Sequence, residues 1–498
     1  MTQQIQPRQL FFYSLWLVLA VKLLLATVLP VTSDEAYFFL WGANPDLGHY
    51  DHPAMVSWWL MLLLPFGDAL WWLRMPAILL SPLIGFGIVW ILRERNEDIA
   101  WLTGALFLIS PLSVLNVLIT TDTPVIIFSF LTMAAFYRAV RTGHYSWYLL
   151  TGLFLGAALL SKYFAGLLAI ALGSYLLFAD NKRNVLFGLI ITALVSASLF
   201  AINIYWNYTH CWDNFMFNFL NRNEGSTPWH TPLTYLITVI YVLTPPVAWY
   251  LSRKRQNKQL WQPDERLFLI LTIVPLGLLA LLSFGKLIGI HWLLAFQASA
   301  YILFALRSSE NPIRKSWAFN SWFTLAHIAL VLAVILMPWN LLNLPDDKQR
   351  IITDAIHGDW VWTELEPLAR ERKVFTQSYA SSARMSYQAG QHIGVFGGGS
   401  HHAREDDKLT DFSQLNGQNF LIYLKRPKNT DEFLPFFENI EVQEVYVRGT
   451  PYKVVLGNGF RYSTYRDKVL KHINKRFYNL PEYWPVKACY FKEKYQLP

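Results

Sequence analysis

An α-helical polytopic membrane protein with a small soluble α/β domain at its C-terminal end is the fold class this sequence predicts. Three observations lead there. First, 54% of the 498 residues are hydrophobic and 16% aromatic, while only 15% are charged, against about 25% charged in ordinary soluble domains. Second, the deficit is uneven: residues 10–340 are dominated by long apolar runs, whereas residues 341–498 have a soluble composition. Third, the basic residues alternate from loop to loop, as they do in proteins whose loops face two compartments.

A spanning helix needs about 20 mostly apolar residues. Eleven stretches qualify as candidates: 11–29, 72–92, 99–119, 123–140, 146–161, 163–179, 185–206, 232–250, 266–284, 287–306 and 317–338. The first lacks a small-residue cleavage pattern and reads as a retained helix. With a cytoplasmic N-terminus, fifteen basic residues fall on the cytoplasmic side: Arg8, Arg93, Arg95, Arg138, Arg141, Lys182, Arg183, Arg253, Lys254, Arg255, Lys258, Arg266, Arg307, Arg314 and Lys315. The short opposite loops carry only four, Arg74, Lys162, Arg222 and Lys286. The formal net charge of +8 is therefore topology rather than affinity for nucleic acid, and membrane lipids are the expected surroundings. An odd helix count places residues 341–498 outside, in the periplasm of a Gram-negative cell, with the chain in the inner membrane.

The chain divides into a transmembrane domain, residues 1–340, and a periplasmic α/β domain, residues 341–498. In the second, helix-like stretches (360–372, 379–390) alternate with strand-like ones (374–377, 393–396, 420–424, 441–447, 452–456). Cys211 and Cys489 are the two cysteines, too few for a disulfide framework or a Cys-based zinc site. Both fall outside in this topology, where a bond between them would persist; their pairing is left open. Lys22 lies inside the first helix, where a buried lysine needs a partner unless it snorkels.

The loop of residues 30–71 concentrates the chemistry. Thr32 followed by Glu35 has capping-box spacing, so a helix should start at Ser33. Tyr37, Phe38, Leu40 and Trp41 suit a helix lying in the interface. Pro53 can open a second helix with Asp51 as its N-cap. Glu35 has two readings, cap or site. Asp34 is read as functional, because a carboxylate at a membrane boundary is costly unless used. Arg74, Lys162 and Lys286 lie against the topological bias, which argues that they are used; the alternative is snorkelling to lipid headgroups. Asp122, beside Thr123 and Pro124, is either a helix N-cap or a site residue.

The remaining polar features read more plainly. His49, His52, His210, His230 and His291 could join Glu35 or Asp51 around a divalent cation, but no ligand spacing supports this. The outer loop 207–231, with Trp206 before it, mixes asparagines and aromatics, suited either to sugar contact or to an interfacial belt. His401 and His402, beside Glu405, Asp406 and Asp407, read as a solvated loop. The basic run 461–476 reads as a solvated helix face or a headgroup contact. No Walker A, Gly-x-Gly-x-x-Gly or Asp-x-Asp stretch is present, which disfavours a nucleotide-sugar donor.

The acidic pair in Asp34-Glu35-Ala36-Tyr37, followed by Gly48-His49-Tyr50-Asp51-His52-Pro53, resembles the GT-C glycosyltransferases. Within them it is similar to the group of lipid A aminoarabinose transferases and protein O-mannosyltransferases. Arg74-Met75-Pro76, Thr121-Asp122-Thr123-Pro124, Ser161-Lys162-Tyr163 and, more loosely, Gly285-Lys286 with His291-Trp292 fit the same pattern, over roughly residues 10–310. The chain departs from the family at Pro53-Ala54-Met55, where a second proline or an apolar residue usually follows. It departs again at Gly289-Ile290-His291-Trp292, where a Tyr-rich, Pro-containing segment is usual, and this leaves the sugar undefined.

The resemblance implies a GT-C fold of about eleven transmembrane helices. It implies inverting transfer of a sugar from a polyprenyl-phosphate donor to an envelope acceptor such as lipid A, lipopolysaccharide or another glycan. Asp34 and Glu35 would be catalytic. Arg74, Lys162 and Lys286 would bind the donor phosphate, and Tyr37, His49, Tyr50, Asp51, His52, Asp122 and His291 the substrates. A protein O-mannosyltransferase is the alternative in the same class, weakened because the C-terminal region lacks trefoil-like repeats. A lipid or sugar transporter without catalysis is the alternative from another class; its ionisable groups would lie at mid-membrane rather than at one face.

Overall fold

The computed structural model describes residues 5–220, 229–253, 262–339, 342, 344–402, 404–426, 429–481 and 483–497. Arg222, Lys254, Arg255 and Lys258, which enter the charge reading, lie outside the described residues. The chain forms two compact units. One comprises residues 1–28, 66–202 and 225–333; the other comprises residues 29–65, 203–224 and 334–498.

The first unit is helical. Among the described residues, six helices are long and apolar enough to cross a membrane: Pro7–Val28, Leu70–Leu92, Asp122–Thr142, Lys182–Thr209, Pro263–Leu282 and Glu310–Leu336. Three further candidate stretches form shorter apolar helices, Tyr145–Leu159, Tyr163–Phe178 and Leu294–Arg307. The stretch expected as 232–250 breaks into Thr231–Leu243 and Pro245–Ser252, bent by 105°. Thr244 sits at the break with φ +67. Pro245 and Pro246 follow it, and a residue before proline is driven from helical geometry. The stretch expected as 99–119 likewise stops at Leu108, ahead of Pro111.

Close packing relies on small residues. Gly152 and Gly156 stand one turn apart on Tyr145–Leu159, against Lys182–Thr209. A Cβ on Gly152 would lie 2.8 Å from the Thr192 carbonyl oxygen, and one on Gly156 would lie 2.6 Å from the Leu199 side chain. In lipid, where apolar burial does not drive helices together, such close backbone approach carries the association. Lys22 is fully buried, and its Nζ donates to Ala77 O (2.8 Å), Ser81 Oγ (3.1 Å) and Ser113 O (3.1 Å). It does not snorkel; its three protons tie the first helix to two other segments. Lys22→Leu strands these acceptors, and each buried polar group left unsatisfied costs about 1–3 kcal/mol. A lowered thermal unfolding midpoint in detergent is the expected outcome.

The second unit holds a five-stranded sheet in the order β2-β1-β3-β5-β4. The strands are β1 (Lys373–Thr376), β2 (Gly394–Val395), β3 (Phe420–Leu424), β4 (Asn439–Val447) and β5 (Thr450–Asn458). β2, β1 and β3 run parallel, whereas β3-β5 and β5-β4 are antiparallel. Every residue of β3 is buried, which explains its unbroken apolar run: both sheet faces are covered. Phe420, Ile422 and Leu424 enter one core with Phe375, Phe396 and Phe460. Leu421 and Tyr423 enter the other, with Val361, Leu365 and Met385. The alternation follows the two-residue period of a strand.

Residues 29–65 and 203–224 belong to this same unit. Cys211 and Cys489 are joined by a disulfide that bridges 278 residues of sequence. Around it, Cys211 N donates to Ala488 O, Lys487 N to Tyr208 O, and the Trp212 indole to Pro485 O. The pairing left open by the sequence is therefore present. Mass spectrometry under non-reducing conditions should find no free thiol. Cys211→Ser should lower stability by about 2–5 kcal/mol, as removal of a native disulfide typically does, read by chemical denaturation.

Candidate functional site

The helix expected from Ser33 is present as Ser33–Ala43, closed by a full capping box. Glu35 N donates to Thr32 Oγ1, and Thr32 N and Oγ1 both donate to Glu35 Oε2, each at 3.2 Å. Glu35 is fully buried, so the structure gives its carboxylate a capping duty. Asp34 is exposed, and its carboxylate lies close enough to the Tyr379 hydroxyl to add to burial in raising that group's pKa. Tyr37 is buried, its ring 4.8 Å from Trp41 and 5.8 Å from Tyr379.

The Gly48–Pro53 segment is a tight turn closed by a bridge between its ends, with His49 N donating to His52 O at 3.0 Å. A Cβ on Gly48 would meet the Trp206 ring at 2.6 Å, so only glycine lets the turn seat there. His49 lies flat on Trp41, ring centroids 4.4 Å apart. Asn214 Nδ2 donates to His49 O and Tyr50 O, and Asn218 Nδ2 donates to Asp51 O. His49 and Tyr50 are fully buried, and His52 is partly exposed. Asp51 does not cap the next helix. That helix is Met55–Leu63, with Ala54 at its N-cap and no side-chain cap bond. The Asp51 charge acts instead on the Tyr37 hydroxyl, whose pKa burial and Asp51 push up.

The group that organises this turn is one the sequence reading placed in a solvated loop. Glu405 is 2% exposed. Its Oε1 faces His49 Nδ1 at 3.2 Å and accepts from Lys408 Nζ at 3.0 Å; its Oε2 accepts from Tyr50 N at 3.0 Å. Lys408 Nζ also donates to Asp46 Oδ2 at 2.6 Å. Burial alone would raise the Glu405 pKa, but the His49 and Lys408 charges and the bonds from His49 and Tyr50 hold it down to about 2. Arg404 and Asp406 are buried too, and Arg404 donates to both oxygens of Asp407. The expectation of a solvated loop at 401–407 is thus overturned. A run of mixed charges reads as surface unless its partners, distant in sequence, are known. Asp213 was also missed: burial pushes its carboxyl well above the usual range.

In the membrane unit, Asp122 and Lys162 form an ion pair, Nζ to Oδ1 2.7 Å, with Lys162 7% exposed. The cap reading of Asp122 fails, since Thr121 is the N-cap and Asp122 is the first helical residue. Lys162 Nζ sits 5.6 Å from the Phe164 ring centre, Phe164 stacks on Trp292 (5.6 Å, 11°), and Lys286 Nζ sits 5.7 Å from the Trp292 ring. His291 neighbours the same indole at 6.4 Å. Asp122, Lys162, Lys286 and His291, 169 residues apart at their extremes (291 − 122), therefore share one patch. Arg74 is fully buried at the turn preceding Met75–Leu92, and its Nη1 donates to Ala26 O at 2.8 Å. Among the described residues, no three His, Cys, Asp or Glu side chains gather as a metal site.

These features define a polytopic helical membrane protein that carries an α/β unit, and its fold is shared with a solved membrane protein. The crystal structure of ArnT from Cupriavidus metallidurans in the apo state superposes with a TM-score of 0.60 at 14% identity, covering 92% of this chain and 98% of that one. The same protein bound to undecaprenyl phosphate also scores 0.60, covering 90% and 97%. Residues 51–206 match the family model described as dolichyl-phosphate-mannose-protein mannosyltransferase. Lipid A galacturonosyltransferase RgtD of Rhizobium johnstonii is 30% identical over 186 residues, 36% of this chain and 38% of that relative. The chain thus matches about two fifths of that relative's length. Together these matches bear out the resemblance to the aminoarabinose transferase and protein O-mannosyltransferase group.

Glu405 carries a sign-defined pH dependence. Its folded pKa is depressed to about 2, below the ordinary glutamate value of about 4.3. Its stabilisation is present above the ordinary value and is lost as pH falls toward 2. Glu405→Gln should lower stability at neutral pH and flatten the pH dependence of unfolding between about pH 4.3 and 2, followed by tryptophan fluorescence.

Proposed function

We propose that this chain is an inverting glycosyltransferase that moves a sugar from a polyprenyl-phosphate donor to lipid A, lipopolysaccharide or another envelope glycan. The observation that carries the reading is the patch in the membrane unit: two lysines flank a stacked Phe164–Trp292 pair, with Asp122 fixing one of them. As the glycosidic bond breaks, negative charge grows on the departing polyprenyl phosphate. Fixed cations in a poorly solvated site stabilise that charge at little reorganisation cost. The aromatic faces suit a prenyl chain or sugar ring. Arg74 is assigned to the same phosphate.

Asp34 is the carboxylate assigned to the acceptor. For a hydroxyl acceptor it takes the proton; for a phosphate acceptor, already nucleophilic, it orients. Glu35 supports it by fixing the helix start. Tyr37, His49, Tyr50, Asp51 and His52 shape the acceptor side through the turn they build. The solved relative holding undecaprenyl phosphate and the lipid A galacturonosyltransferase support the choice of donor and acceptor class. The reading includes eleven spans, an inner-membrane location, a cytoplasmic N-terminus and a periplasmic 341–498 domain. The family model's description favours protein O-mannosyl transfer as the second reading.

Comparative mass spectrometry of lipids and glycans from cells with and without the gene should show one molecule that lacks a hexose or aminopentose. Lys286→Ala should abolish that product with membrane insertion intact, and Asp34→Asn should do the same. Normal product from either variant would refute the assigned role. A transporter without chemistry would tolerate Asp34→Asn.

A further inference from the structure

The helix Tyr379–Ala389 lies against the capped helix Ser33–Ala43: Tyr379 faces Tyr37 at 5.8 Å, and Tyr387 faces Phe39 at 5.6 Å. Asp34 and Tyr37 are three residues apart, on one face of their helix, so the tyrosine that meets Tyr37 also reaches Asp34. We propose that Tyr379 is a positioning residue for Asp34, its hydroxyl fixing the carboxylate that meets the acceptor, so that the C-terminal segment supplies part of the reaction centre. This rests on the assignment of Asp34 given above.

Three observations support the geometry. The Asp34 carboxylate lies close enough to the Tyr379 hydroxyl to act on its titration. Burial, with Asp34 and Asp51 adding, pushes its pKa up to about 12, so it keeps its proton and donates. Its ring is also held from a second side: His402 lies 6.1 Å away, and Phe217 packs on His402 at 5.5 Å. Phe217 packs in turn on the buried Tyr50 at 5.6 Å. Ser378 begins the helix as N-cap, accepting from Ser381 N. A capped helix start thus presents one phenol to an exposed carboxylate.

The test uses the full-length protein in detergent, incubated with the total lipid extract of cells lacking it, which holds unspent donor and unmodified acceptor. Product is followed by mass spectrometry against pH. Tyr379→Phe removes one oxygen. A carboxylate that loses a donor titrates at higher pH. The variant should therefore slow product formation on the order of ten- to a hundredfold, as for a misplaced reacting group, and move the acidic limb of the pH–rate profile upward. Its thermal unfolding midpoint should match the parent's. Tyr387→Phe, on the same helix, should change neither rate nor profile. An unchanged rate and profile in Tyr379→Phe, with Asp34→Asn inactive, overturns the positioning role and leaves the proposed function standing. A loss mirrored by Tyr387→Phe, or accompanied by a lowered midpoint, overturns it as well. An active Asp34→Asn overturns the role assigned to Asp34 and the positioning role with it.

Discussion

The buried Glu405 carboxylate is the constraint on which the Gly48–Pro53 turn of the α/β unit depends. A charge removed from water persists only if it is paired and hydrogen-bonded. Here Lys408, His49 Nδ1 and Tyr50 N meet it together. The Gly48–Pro53 turn is irregular backbone inside a packed unit, so its polar groups need partners that no helix or strand supplies. Glu405 takes one amide, and Asn214 and Asn218 cover three carbonyls. The disulfide between Cys211 and Cys489 anchors the segment that bears those asparagines.

The membrane unit solves a related problem differently. Lys162 is compensated by Asp122 and lies beside an aromatic ring, while Lys286 lies beside the partner ring of the same stack. A cation near a ring face gains roughly 0.5–1 kcal/mol, more when desolvated. That is enough to orient an ammonium group. Lys22, by contrast, spends its donors on protein carbonyls and a hydroxyl, which fits a purely structural part.

Much of the local structure was legible. Thr32 and Glu35 set a helix start at Ser33 because both halves of a capping box lie within four residues. Each of the five strand-like stretches holds a strand, since period-two patterning and β-branched or aromatic runs are local signals. The errors share one cause. Asp51 has N-cap spacing before Pro53, yet Ala54 takes the N-cap position and the Asp51 charge acts on Tyr37, on another helix. The 232–250 stretch has a spanning composition, yet Thr244 and two prolines break it. The Arg404-to-Lys408 run looks solvated because its partners, Asp46, His49 and Tyr50, lie more than 350 residues earlier in the chain.

The sequence by itself determined the apolar helices, the composition boundary near residue 340, the capped helix bearing Asp34, and the cations that stand against the charge bias. Hydropathy, capping and periodicity act over a few residues and can be read there. Tertiary structure alone decided that residues 29–65 pack with the C-terminal segment, that Glu405 is buried, that Cys211 meets Cys489, and that Lys162 and Lys286 flank one aromatic stack. Charge pairing and ring stacking act through space, and only the folded chain fixes which distant residues meet.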